Sequence, residues 1–285
     1  SCVFYMFFNW KIILIFAITI VLSYISGFLI EKYKEKPKLR TTIYVISLIA
    51  VTAPLIVFKF VPFFYDVYQS IANALKSIQT NGVISVVVPL GISFYTFQTI
   101  AYITDIYREV TTWEKHFGYH ALFLLFFPKV IQGPIERAND LIPQLKASET
   151  ASIKDVDFPE AFRIMLVGFF KKVAIADLFG IIVAKTFDNV GDSNGLMVLV
   201  SVLCYAVQIY ADFSGYSDIA IASSKLFGIN LQDNFDLPYE SKSIREYWTR
   251  WHITLGTWFR DYIYYPVFRS GFCKDVKTKL SKTPL

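Results

Sequence analysis

The chain has 285 residues, of which 54% are hydrophobic and only 18% charged, and its net charge is +5. Soluble domains carry about 25% charged residues, so this composition argues against a soluble globular protein and indicates a membrane protein. The positive charge does not indicate nucleic-acid binding, because many basic residues lie in short polar stretches between apolar runs, as the positive-inside rule describes. The three cysteines are far apart in sequence and predict neither a disulfide framework nor a metal site.

The first apolar run, residues 11–30, is predicted to be a transmembrane helix, because about 20 residues cross the hydrocarbon core. The next stretch, residues 31–40, holds five basic and two acidic residues. A short loop this basic is predicted to lie in the cytoplasm. The residues before the first helix are then expected outside.

Two further spans are predicted. Residues 42–64 run outward, and the amphipathic residues 65–81 are expected at the outer membrane surface. Residues 83–104 cross back, interrupted by Pro89 and Gly91. Such an interruption is tolerated where neighbouring groups satisfy the freed backbone, so this span is expected inside a bundle.

The middle of the chain is less regular. Residues 105–120 are expected in the cytoplasm, and residues 121–128 are too short to span, which suits a re-entrant or interfacial segment. Residues 141–158 are predicted to be a surface loop. Residues 158–187 are apolar with interspersed charges, and two half-helices or one tilted helix both fit them.

The last third alternates between apolar and polar stretches. Residues 196–210 are strongly apolar, residues 230–243 are polar, and residues 243–262 are predicted to form one helix. The expected fold class is therefore all-α: a polytopic transmembrane helix bundle with short re-entrant or interfacial helices. No nucleotide-binding or zinc-protease motif is present.

His252 is the leading candidate for chemistry. On one continuous helix it would lie at the edge of an aromatic stripe, where burial keeps an imidazole neutral and able to accept a proton. The alternative is an interfacial helix in which His252 is structural. The expected neighbours on the apolar side are Trp248, Leu255 and Phe259, and those on the polar side are Arg245, Thr249 and Gly256.

Two other polar clusters accompany it. Residues 208–218 place polar side chains at the end of an apolar helix, where Gly215 is expected to break or bend it; the alternative is a helix end that reaches water. Residues 127–137 contain a tight turn that either lines a cavity or forms a plain surface loop. His116 and His120 lie in a polar stretch and are predicted to be solvated.

The run NFDLPYESKSIREYWTRWHITLGTWFRDYIYYP closely resembles the signature of the membrane-bound O-acyltransferase (MBOAT) family, in particular its bacterial alginate O-acetyltransferase branch. The stretches PLGISFYTFQTIAYITDIYR, FPKVIQGPIER and YADFSGYSDIAI support the resemblance in the same order. It implies an MBOAT-like helix bundle with a tunnel through the membrane, as a single domain over residues 1–285.

The resemblance also implies site residues. His252 matches the motif histidine and is the implied catalytic residue. The family has a second histidine downstream and a further helix upstream, so the domain is expected to be partial and the fragment inactive by itself. His252 is then either the base or the partner that orients the second histidine. The implied tunnel and supporting residues are Gln132, Gly133, Pro134, Asp212, Ser214, Tyr216, Trp248, Arg250, Trp251, Trp258, Arg260 and Asp261.

The implied activity is acetyl transfer in the bacterial inner membrane. An acyl thioester, foremost acetyl-CoA, is the expected cytoplasmic donor, and the acceptor is a hydroxyl of an extracellular polysaccharide or of a partner protein. Membrane lipid is the expected surrounding, with no bound cofactor, no metal and no nucleic acid. D-alanyl transfer to teichoic acid is one alternative. A non-catalytic scaffold or transporter is another, although the chain lacks the paired interruptions typical of transporters.

Overall fold

A computed structural model of the protein describes residues 1, 3–4, 12–74, 88–150 and 152–270. These residues are mainly helical, and their one β-type pairing is an isolated antiparallel bridge between Phe235 and Trp251. The predicted all-α fold is confirmed. The chain forms two compact units, residues 1–131 with 137–142, and residues 132–136 with 143–285. The expectation of a single domain over residues 1–285 stays a prediction.

The first unit contains five helices in its described part. A wider π-helical turn at Ile56–Phe60 joins the second helix to the third. It follows Pro54 closely, and proline removes a helical N–H donor, which favours such local rearrangement. The helices are α1 (Ile12–Lys32), α2 (Pro37–Leu55), α3 (Val61–Ala74), α4 (Ile92–Tyr107) and α5 (Phe117–Leu125).

Two helical stretches of this unit, Ile13–Lys32 and Pro37–Ile71, are long and apolar enough to cross a membrane. Many of their large apolar side chains are exposed, among them Leu14 and Ile49 at 65% each. Exposed apolar surface on this scale is stable in lipid rather than in water. The first two predicted spans are therefore supported, and the second continues as helix beyond residue 64.

The chain reaches α4 through a left-handed glycine. Gly91 has φ +69°, and a Cβ there would lie 2.0 Å from the Val130 carbonyl oxygen. Only glycine fits such a position without rearrangement. The predicted interruption at Pro89 and Gly91 thus lies before the helix rather than within it, and residues 83–87 lie outside the described part.

His120 corrects one prediction. It is fully buried rather than solvated, and its Nε2 lies 2.7 Å from the hydroxyl of Ser23 on α1. The rings of Tyr24 and Tyr102 contact its imidazole. The physical reason is that α5 begins at Phe117, which places His120 on a packed helix face. His116 precedes the helix and is exposed, as predicted.

In the second unit, the structure decides the predictions for residues 158–187 and 141–158. Residues 158–187 form one continuous helical run with a π-helical turn at Phe170–Ala176. The predicted surface loop at 141–158 is wrong at its start, because Leu141 and Leu145 are buried on a helix. The helices are α6 (Ala138–Ala147), which begins in the first unit's sequence, α7 (Phe158–Phe169), α8 (Asp177–Phe187), α9 (Gly195–Lys225), α10 (Ile244–Arg250), α11 (Ile253–Phe259) and α12 (Tyr265–Arg269).

The 31 residues of α9 form the third helix that is long and apolar enough to cross a membrane. At 1.5 Å per residue it is about 46 Å long, more than the roughly 30 Å of the hydrocarbon core. Of the predicted break or bend at Gly215, the break is wrong, because the helix continues through this residue. Instead a Cβ at Gly215 would lie 2.8 Å from the Gly168 carbonyl oxygen, so the glycine allows α7 and α9 to cross closely.

Candidate active site

His252 lies at a break between two short helices. The predicted single helix over 243–262 is wrong here, because α10 ends at Arg250 and Trp251 is extended. His252 itself is left-handed, with φ 45°. Backbone hydrogen bonds of a neighbouring strand-like segment replace the helical ones: Asp236 N–H donates to the Arg250 carbonyl at 3.0 Å, and Ile253 N–H donates to the Asn234 carbonyl at 3.0 Å.

The break brings the imidazole of His252 against polar and aromatic groups. Its Nδ1 lies 3.3 Å from the Asn234 Oδ1, and the Phe213 ring meets it edge-on with centroids 4.7 Å apart. Burial lowers the pKa of His252 to about 4. The imidazole is therefore neutral near pH 7 and able to accept a proton.

Asn234 and Thr254 complete this polar contact, although no sequence pattern indicates either of them. Both are buried, at 1% exposure each. Thr254 donates its hydroxyl to Asn234 Oδ1 at 2.6 Å, and its backbone N–H faces the same oxygen at 3.4 Å. Asn234 Nδ2 lies 3.5 Å from the Ser217 hydroxyl of α9.

The predicted turn at Gln132, Gly133 and Pro134 is joined to the helix that follows His252. Ile135 N–H, next in the chain, donates to the Thr254 hydroxyl at 3.0 Å. Gly133 and Pro134 are buried, while Gln132 is exposed and its backbone hydrogen-bonds the Tyr216 hydroxyl. The interpretation of this stretch as a plain surface loop is therefore wrong.

The aromatic residues of the motif divide into two groups. The Trp251 ring stacks on Tyr247 at 5.7 Å and meets Phe235 edge-on at 5.0 Å. Trp258 is also buried, with 3% exposure. Trp248 instead is 61% exposed. On one continuous helix it would lie beside His252, but the break in the helix separates the two residues.

The charged residues predicted for the site are held in ion pairs. Arg250 Nη2 lies 2.8 Å from Glu246 on the same helix, and Arg260 Nε lies 3.0 Å from Asp261. Asp212 is exposed and pairs with Lys172 at 2.7 Å. These pairs are within reach of solvent, so their contribution to stability is small.

Ser214 is buried at 1% exposure, and within the described part of the chain its hydroxyl has no hydrogen-bond partner. Its neighbour on the next helical turn, Asp218, binds Lys171 at 2.7 Å. The described contacts thus join His252, the Gln132–Gly133–Pro134 turn and Tyr216 into one network, with Asp212, Arg260 and Asp261 held in the ion pairs above.

A polar cleft of about 180 Å³ lies beside this network. Asn234 lines the cleft and also contacts the imidazole, so one side chain connects His252 to an open space. The ion pair of Lys171 and Asp218 forms part of the same lining. A hydroxyl-bearing ligand would find hydrogen-bond donors and acceptors there.

The model of the family described as "MBOAT, membrane-bound O-acyltransferase family" matches residues 115–278, more than half of the chain. This range includes the Gln132–Gly133–Pro134 turn, the α9 motif and the whole run from Asn234 to Pro266. The match therefore contains every residue of the network around His252.

Three curated relatives are informative. A probable alginate O-acetylase, AlgI, of Pseudomonas aeruginosa is 35% identical over 93% of this chain and 50% of its own length. A peptidoglycan O-acetyltransferase of Helicobacter pylori is 31% identical over 94% and 54%. A teichoic acid D-alanyltransferase of Streptococcus thermophilus is 31% identical over 65% and 45%. The chain spans about half the length of the curated relatives it matches.

Proposed function

The chain belongs to the membrane-bound O-acyltransferase family, and from this premise we propose that the intact protein transfers an acyl group to a hydroxyl, with His252 as general base. Its apolar helices and its bacterial relatives make it a multi-pass protein of the bacterial inner membrane. The observation that supports the proposal best is the half-buried, neutral imidazole of His252, which contacts Asn234, a residue that lines a polar cleft.

The proposed reaction has two proton transfers. His252 takes the proton of the acceptor hydroxyl as its oxygen attacks the carbonyl carbon of the acyl thioester. The tetrahedral intermediate then breaks its C–S bond, and the leaving thiolate takes the proton from the imidazolium. The products are an ester and a thiol, and the histidine returns to its neutral form.

The substrates are proposed from the relatives' names and the family resemblance. Two relatives are named for acetyl transfer, to alginate and to peptidoglycan. We therefore propose an acetyl thioester, acetyl-CoA foremost, as the cytoplasmic donor. The proposed acceptor is a hydroxyl of an extracellular polysaccharide or of a partner protein that passes the group on.

D-alanyl transfer is the second candidate, because the chain is also similar to teichoic acid D-alanyltransferases. The same base chemistry would serve it, since the two reactions differ in the acyl group and not in the attacked bond. A non-catalytic scaffold or transporter would show transfer from neither donor.

The other predicted residues receive supporting roles in this proposal. The turn at Gln132, Gly133 and Pro134 and the Tyr216 hydroxyl hold the segment that contacts Thr254. Trp251 and Trp258 pack the apolar side of the break. We assign Asp212, Ser214, Trp248, Arg250, Arg260 and Asp261 to substrate-path or structural support rather than to proton transfer.

The proposal is tested on the intact protein from the same gene, reconstituted in vesicles with radiolabelled acetyl-CoA or D-alanyl carrier thioester. His252→Ala should lower transfer by at least about 10²-fold, the usual contribution of a general base, while membrane insertion is unchanged. The exposed histidine variant His116→Ala is the matched control and should retain activity. Wild-type activity in His252→Ala would refute the assigned role.

A further inference from the structure

A histidine that acts as a base must present the nitrogen that does not carry the proton. Neutral imidazole has one N–H and one lone pair, and the partner of the first nitrogen decides which nitrogen remains basic. The contacts of His252 answer this question, because its Nδ1 faces Asn234 Oδ1 at 3.3 Å. The orientation of the Asn234 amide therefore determines which ring nitrogen of His252 carries the proton.

The amide orientation follows from its neighbours. Thr254 N–H can only donate, and it faces the amide at 3.4 Å. The Thr254 hydroxyl accepts from Ile135 N–H at 3.0 Å, so its own proton is available to the amide atom 2.6 Å away. The backbone N–H requires an acceptor and the hydroxyl can donate to the same atom, so the amide atom that faces them is the carbonyl oxygen.

The contacts form a directed series of donors. Ile135 N–H donates to the Thr254 hydroxyl, the hydroxyl donates to Asn234 Oδ1, and the same oxygen can only accept from His252. The nitrogen Nδ1 must then carry the proton. The amide Nδ2 points to the Ser217 hydroxyl, at 3.5 Å, which is consistent with this orientation.

We infer that Asn234 is a positioning residue that holds His252 as the Nδ1–H tautomer and leaves Nε2 as the nitrogen that accepts the substrate proton. The inference rests on the proposed function and specifies its reacting atom. Thr254, with Ile135 next to the buried turn, sets the direction of the series.

Asparagine also suits this role better than aspartate would. A carboxylate at the same place would stabilise the imidazolium and raise the pKa of the histidine, whereas a neutral amide orients the ring without adding charge. Burial is what lowers the pKa of His252.

The first test reads the tautomer directly and requires no turnover. Solid-state ¹⁵N NMR of the intact, histidine-labelled protein in lipid, compared with His252→Gln, identifies the two ring nitrogens. We expect a protonated Nδ1 and an unprotonated Nε2 at pH 7. A protonated Nε2 with a free Nδ1 would overturn the inference, even if acyl transfer is confirmed.

The second test uses a matched pair at Thr254. Thr254→Val removes the hydroxyl that directs the amide while keeping the side-chain shape, and Thr254→Ser keeps the hydroxyl. We expect kcat to fall about 10- to 100-fold in Thr254→Val, as for other residues that orient a functional histidine, with KM little changed and mixed tautomers in the spectrum. Thr254→Ser should restore both. Equal spectra for the two variants would contradict the directing role.

The third test separates positioning from mere structural support. In Asn234→Asp the acid limb of the kcat/KM profile should move to higher pH by about one unit or more, because a carboxylate replaces the neutral amide. If Asn234→Asp folds and the acid limb of its kcat/KM profile stays at the wild-type pH, the inference is wrong. If the wild-type protein transfers no acyl group, the proposed function fails, and the tautomer measurement still decides the position of the proton.

Discussion

His120 and His252 are both withdrawn from water, and burial lowers the pKa of each to about 4. Their surroundings differ, however. His120 is fully buried among tyrosine rings and a serine hydroxyl, whereas His252 is half-buried and its partner Asn234 lines a polar cleft. The same lowered pKa therefore accompanies a structural role for His120 and a candidate role as a base for His252.

The burial of His120 predicts a pH dependence of stability. Its folded-state pKa lies below the ordinary value of 6.5, so the unfolded chain binds one more proton between about pH 6.5 and pH 4. The free energy of unfolding should fall across this window as pH decreases, by up to about 1.4 kcal/mol per pH unit for this residue. Urea unfolding in detergent at several pH values measures the slope.

The matched variants for this measurement are His120→Gln and His116→Gln. The first removes the buried titrating group, so the slope of the free energy of unfolding against pH should decrease by the contribution of one proton. The contribution of His252, which has the same sign, should remain. The second changes an exposed histidine and should leave the slope unchanged. Identical slopes in wild type and His120→Gln would show that burial at this position does not control its protonation.

At the scale of elements, the crossing of α7 and α9 depends on two glycines. Gly168 and Gly215 each lie where a Cβ would meet the other's carbonyl oxygen at 2.8 Å. Gly215→Ala should therefore lower the free energy of unfolding by about 1–3 kcal/mol through overpacking. Thermal unfolding in detergent, followed by circular dichroism, measures the change.

Gly195→Ala is the control for this crossing, because no atom lies within 4 Å of a Cβ added at the start of the same helix. Alanine has the higher helix propensity, so the control should be neutral or stabilising by up to about 1 kcal/mol. A Gly215→Ala variant as stable as the control would mean that the two helices can separate at no cost.

The elements also show what local sequence patterns can predict. The apolar runs that became α1, α2 and α9 were visible from composition, because lipid-facing helices need little more than length and hydrophobicity. The break at Trp251 was not visible, because it depends on backbone hydrogen bonds with residues 234–236, which are distant in sequence. The amphipathic α6 was hidden by its polar composition and by Pro143.

The candidate site divides in the same way. The specificity of its motif identifies His252, whereas Asn234 and Thr254 lie within that motif without a local pattern that indicates their role. Their importance arises from the contact of Thr254 with Ile135, 119 residues earlier in the chain. A pairing of that range follows from the tertiary fold and not from local propensity.

At the scale of the whole molecule, the basic turn between α1 and α2 should fix the orientation in the membrane. Together with the last residue of α1 it carries Lys32, Lys34 and Lys36 within five residues, so the positive-inside rule places it in the cytoplasm. A cysteine introduced at the exposed Glu35, in a variant without other cysteines, should react with an impermeant maleimide in inside-out vesicles.

The same variant in intact spheroplasts is the control and should remain unlabelled until the membrane is permeabilised. Labelling from the outer side alone would invert the predicted orientation. The outer and inner ends of every later helix, and the side from which a thioester donor reaches the protein, would then exchange places.

The left-handed backbone at His252 has a consequence for the evolution of the position. Few side chains adopt positive φ readily; beyond glycine they are mainly asparagine, aspartate and histidine. Among these, histidine alone offers a neutral base near physiological pH. The backbone conformation alone thus favours only a few residue types at this position. A mutation that abolishes the chemistry, such as His252→Gly, would relieve backbone strain at the same time. Selection for activity, rather than for stability, is what would keep histidine there.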